Sequence, residues 1–95
     1  MAASTVVIDS NVQMAGNHHI VTGTIETADG SGEEARIVPS SGGVLYINAH
    51  PTADHTDAPE FRLNKEDDGS TASNGLVYIR TAAAQTVRFT AGVIL

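Results

Sequence analysis

Apolar and polar residues alternate at period two in several separate runs, and no stretch repeats at the period of a helix. From His18 to Thr27, one face carries Ile20, Thr22 and Thr24, and the other His19, Val21, Gly23 and Ile25. Gly23 in mid-run predicts a bulge or a close approach of another backbone segment. Val44 to Ala49 sets Leu45 and Ile47 against Tyr46 and Asn48, and Glu60 to Lys65 sets Phe61 and Leu63 inward. Shorter runs cover Ser4 to Ile8, Glu34 to Val38 and Leu76 to Arg80. The last run, Thr86 to Leu95, puts Val87, Phe89, Ala91, Val93 and Leu95 on one face.

Turn residues punctuate these runs. They are Asp9-Ser-Asn11, Gly16-Asn17, Asp29-Gly-Ser-Gly32, Pro39-Ser-Ser-Gly-Gly43 and Glu66-Asp-Asp-Gly69. His50 to Pro59 is a polar, proline-bracketed loop without periodicity. Ala82-Ala-Ala84 is long enough for one helical turn at most. The pattern predicts a single all-β domain over residues 1–95: a small antiparallel β-sandwich or flattened barrel of about seven strands. Its expected core is Val21, Ile25, Leu45, Ile47, Phe61, Leu63, Val77, Ile79, Val87 and Phe89. A chain of 95 residues buries a thin core, and with no Trp and only two Phe and two Tyr, that core is mostly Val, Ile, Leu and Ala.

Charge and composition narrow the function. Five Lys and Arg against eleven Asp and Glu give a net charge of −6, which argues against nucleic acid as a partner, because phosphate contacts need clustered cations. No apolar run approaches the ~20 residues of a membrane helix, and no basic, apolar leader is evident, so no membrane association is expected. The chain lacks cysteine, which excludes disulfides and thiolate metal sites and leans toward folding in a reducing cytoplasm.

Candidate chemistry is sparse. Adjacent His18 and His19 point to opposite faces of a strand and cannot chelate together. His50 and His55 share a loop with Asp54 and Asp57, a plausible set of ligand types at no established spacing. The turns at Asp29–Glu34 and Glu66–Gly69 are oxygen-rich but lack the EF-hand pattern. There is no nucleophile elbow, P-loop or dinucleotide fingerprint, so no catalytic residue and no cofactor is expected. Tyr46 and Tyr78 have faces that could stack a sugar or a base, or simply pack within the sheet.

The tail is the most informative stretch. Ending on Val93, Ile94 and Leu95, it reads as a terminal strand without Lys, Pro or acidic residues from Phe89 onward. Such a strand at a sheet edge invites pairing, so Val93, Ile94 and Leu95 are candidate interface residues for a homo-oligomer, most simply a trimer or ring. Intramolecular burial is the alternative, and it would make the tail a central strand.

Ile20-Val-Thr-Gly-Thr-Ile25, the Val-Leu-Tyr-Ile strand, the long polar excursion and Thr86-Val-Arg-Phe-Thr-Ala-Gly92 together resemble small virion structural proteins of tailed bacteriophages. That resemblance implies a β-sandwich or barrel without catalytic residues, made in the host cytoplasm and built into the virion, touching its own copies and a capsid or tail protein. Two functions compete. One is a non-enzymatic head decoration or stabilisation protein acting by self-assembly. The other is a small ligand-binding β module, for a sugar or divalent metal, using the His50–Pro59 loop.

Overall fold

The computed structural model describes residues 2–28, 32–37, 42–52, 59–63, 75–81 and 83–95. Among them are eight strands and no helix: β1 (Ala2–Ala3), β2 (Thr5–Ala15), β3 (His18–Glu26), β4 (Glu33–Arg36), β5 (Gly43–Pro51), β6 (Glu60–Leu63), β7 (Leu76–Arg80) and β8 (Thr86–Ile94). They form two four-stranded sheets. The larger has the order β2-β3-β8-β5 and the smaller β1-β4-β7-β6. Every pairing is antiparallel except the short β1–β4 contact. The all-β class and the antiparallel pairing therefore agree with the alternation in the chain.

Both sheets contribute to one apolar cluster. The larger gives Val21, Ile25, Val44, Val87, Phe89, Ala91 and Val93. The smaller gives Ala35, Val77 and Ile79, joined by Ile37 just beyond β4. Val6, Ile47, Ala49, Phe61, Leu63 and Leu95 pack around its margin. Nine of the ten residues read as core are thus buried in it or packed against it. Leu45 is the correction. A bulge between Val44 and Tyr46 inserts an extra residue, so Val44 takes the inward position and Leu45 is left 55% exposed.

The N-terminal half of the larger sheet also departs from expectation. Asp9-Ser-Asn11 does not turn the chain. It lies inside one eleven-residue strand, β2, which absorbs a bulge between Ile8 and Ser10 and another between Gln13 and Ala15. The turn is Gly16-Asn17, a two-residue hairpin loop closed by the Ala15–His18 pair. Gly16 takes φ 57, the left-handed conformation such loops require, and the Gln13 side-chain amide donates to its carbonyl at 2.7 Å. Gly23 does mark a close approach: a Cβ there would run into the backbone carbonyl of Val7. The first bulge and the missing side chain together let β2 lie flush on β3.

Polar groups tie the ends of the sheets together. The buried Thr27 hydroxyl meets that of Thr81 at 3.0 Å and accepts the Gln85 backbone N–H at 3.0 Å. Thr81 donates to the Ala83 carbonyl at 2.8 Å. Glu33 is fully buried, yet its carboxylate accepts the Ala28 backbone N–H through both oxygens, at 2.9 and 2.8 Å, and the Ser4 hydroxyl at 3.0 Å. A buried carboxylate is tolerable only with such partners. Here it fastens the β1–β2 junction to the segment after β3. The Ala82–Ala84 segment holds no helix in its described residues, Ala83 and Ala84, which form a bend.

Candidate functional site

The tail is a central strand. β8 pairs with β3 from Thr86 to Ile94 and with β5 along its other side from Val87 to Ile94. The Leu95 N–H then donates to the Asn17 carbonyl at 2.9 Å. It therefore offers no open edge, and the expectation of an unpaired terminal strand is corrected. Val93, read as an interface residue, is fully buried in the core. Leu95 is partly buried against that core. Ile94, facing the other way, is 36% exposed. Alternation in the tail was a sound signal of burial, but it carried no information on which strands lie to either side.

Among the described residues, the edge strands of the larger sheet are β2 and β5. Seven large apolar side chains are exposed among the described residues: Val7, Ile8, Val12, Met14, Leu45, Tyr46 and Ile94. All of them lie on the larger sheet and none on the smaller. Strand register brings several together. Val12 pairs with Ile20, Ile20 with Gly92, and Gly92 with Tyr46, a row across all four strands. Because β3 and β8 bury their odd-numbered residues, this row lies on the outer face. The Tyr46 ring occupies the space where a Gly92 side chain would sit. The next row is Ala15, His18, Ile94 and Gly43. Met14 and Leu45 occupy the bulges beside these two rows.

Away from that end the outer face turns polar. The rows beyond hold Ser10, Thr22, Thr90 and Asn48, then Val7, Thr24, Arg88 and His50. Arg88 reaches the Asp9 carboxylate at 2.9 Å, linking the first bulge of β2 to β8 across β3. Sequence reasoning missed β2 as an exposed arm. Its signal was present but split: Asp9-Ser-Asn11 reads as a turn, whereas Gly16-Asn17 is the two-residue turn that joins β2 to β3, and the bulge at Asp9 keeps Thr5–Ile8 and Asn11–Ala15 in one strand.

The other candidates are dispersed. His50 is exposed at the end of β5, while Asp54, His55 and Asp57 fall outside the described residues, as do Asp29 and the Glu66–Gly69 turn. His18 and His19 lie on opposite faces. His19 meets Asn11 at 2.8 Å, and His18 Nε2 is buried without a partner among the described residues. No group of three metal-ligating side chains occurs among the described residues. Tyr78 is 1% exposed, with the Arg62 guanidinium 5.0 Å from its ring centre. It is not available to stack a ligand. Tyr46, 45% exposed, is. A cleft of about 350 Å³ opens between Glu26, Thr27, Ala28, Ala84, Gln85 and Thr86. The Thr27 hydroxyl and the Gln85 backbone there are already bonded to each other. No described helix is long and apolar enough to cross a membrane.

No family model, curated protein or solved structure matches the chain. Its geometry and its residues alone carry the functional reading.

Proposed function

We propose that the chain is a non-enzymatic structural protein that works by self-assembly: a small β-sandwich subunit of a phage-like particle, acting in head decoration or stabilisation. The observation that carries self-assembly is the gathering of exposed apolar side chains on one sheet. Scattered surface hydrophobes are ordinary, but a contiguous group marks a contact surface. The larger sheet places Val12, Ile20, Tyr46 and Ile94 in two adjoining rows at one end of its outer face. The assignment to a virion rests on the resemblance of the Ile20–Ile25, Val44–Ile47 and Thr86–Gly92 strands to small bacteriophage structural proteins.

Light scattering on the purified chain across a concentration series tests the first part. A defined oligomer that dissociates on dilution supports it, and a monomer at high micromolar concentration overturns it. The second part is tested by mass spectrometry of purified particles from the producing host. Stoichiometric amounts of the chain are expected, and its absence from particles would overturn the virion assignment.

A further inference from the structure

We infer that the outer face of the larger sheet is a two-fold interface, and that its occupant is the same face of a second copy of this chain. The inference rests on the self-assembly reading and specifies the surface through which it acts.

Three features select this occupant. The first is charge. The chain carries −6, so copies repel over most of their surface. The outer face is close to neutral. Apart from the imidazoles of His18 and His50, its charged side chains in register are Arg88, which Asp9 neutralises at 2.9 Å, and Glu26 in the row furthest from Ile94. A cationic partner would find little to hold here, whereas a second neutral face meets it without repulsion. The second is size. Four strands about 4.8 Å apart and nine residues long at about 3.3 Å each span roughly 600 Å² of sheet. Side-chain relief adds to that footprint, which approaches the ~800 Å² each partner contributes to a stable pair. The third is composition. The apolar rows are bordered by Ser10, Thr22, Thr90 and Asn48, which gives an apolar patch with a small-residue polar border, the anatomy of a protein interface.

The geometry favours stacking over edge pairing. Both bulges of β2, and that of β5 at Leu45, interrupt the outer edges of the sheet, and bulges are a standard obstacle to edge-to-edge addition. Face-to-face contact about a two-fold axis is self-complementary and closes after two copies.

Val12→Glu and Met14→Glu, made separately, place a carboxylate on exposed positions of β2, the first within the Val12–Tyr46 row and the second in the bulge beside it. Each should raise the dissociation constant of the assembly at least about tenfold, with circular dichroism and thermal unfolding of the monomer unchanged. Arg36→Glu, on an exposed position of the smaller sheet, should leave assembly unaltered. As the chain has no cysteine, Thr90→Cys in the middle of the face supplies a spin-label site, and its label should show a strong inter-copy dipolar coupling. An oligomer indifferent to Val12→Glu and Met14→Glu, or without coupling at position 90, overturns this interface while leaving self-assembly standing. A wild-type monomer at high micromolar concentration overturns both.

Discussion

β2 and β8 flank the same strand, β3, and are of similar apolar content, yet their surroundings are opposite. β8 has a paired neighbour on each side and buries Val87, Phe89, Ala91 and Val93 beneath the smaller sheet. β2 has one neighbour, and from Val7 to Ala15 every residue is exposed. What separates them is position in the strand order, not hydrophobicity. Apolar residues on β8 hold the domain together; those on β2 remain open for contact.

The difference sets a scale for substitutions. The largest effect is expected in β8: Phe89→Ala removes a ring that is 1% exposed at the centre of the shared cluster. The loss should be about 3–5 kcal/mol, measured by chemical denaturation. A loss below about 1 kcal/mol would show that the two sheets do not close over Phe89.

The junction between β2 and β3 comes next. Gly23→Ala directs a methyl group into the Val7 carbonyl, a backbone atom that cannot move without shifting the strand. A cost of about 1–3 kcal/mol is expected, with faster hydrogen exchange confined to β2. Unchanged protection in β2 would refute the close approach.

How much of this was legible beforehand follows from the same contrast. Alternation is a property of one strand, so the inward faces of β3, β6 and β8 could be read from Val21, Phe61 and Phe89 directly. Gly23 announced either a bulge or a close backbone approach, and the Val7 carbonyl supplies the latter. Strand order depends on pairings between residues far apart in the chain, and no local pattern encodes it. That is why Val93–Leu95 reads as an edge in the sequence. Bulges were illegible for a related reason: Leu45 alternates perfectly with Tyr46 and Ile47 in the sequence, and only the pairing to β8 shows it to be the inserted residue. The apolar patch inherits both obstacles, since it is assembled from four strands, with bulge residues on two of them.

A smaller effect is expected at Gly92→Ala. The added methyl meets the Tyr46 ring, which is 45% exposed at the end of a flexible side chain and is free to swing outward. Stability should fall by less than about 1 kcal/mol, well under the cost at Gly23. Displacing the ring alters the apolar row, so assembly should weaken more than folding does, as seen by light scattering beside thermal unfolding. Equal costs at the two glycines would mean that the ring is as fixed as the Val7 backbone.

The smallest effect belongs to Val7→Thr. Val7 is 52% exposed on β2 and pairs with Thr24. Threonine keeps the β-branched shape that suits a strand, so backbone preference is conserved. The exchange creates a cross-strand Thr–Thr pair, a combination that contributes favourably in antiparallel sheets. Little apolar area is lost, because half of the side chain already faces solvent and the other half rests on neighbouring strand atoms. Folding stability should therefore stay within about 0.5 kcal/mol of the wild type. Val7 also lies two rows away from the Val12–Tyr46 row, so the dissociation constant should hold as well. Denaturation of a dilute, monomeric sample decides the point. A loss above about 1 kcal/mol there would mean that β2 is covered within the single chain, and its contrast with β8 would collapse.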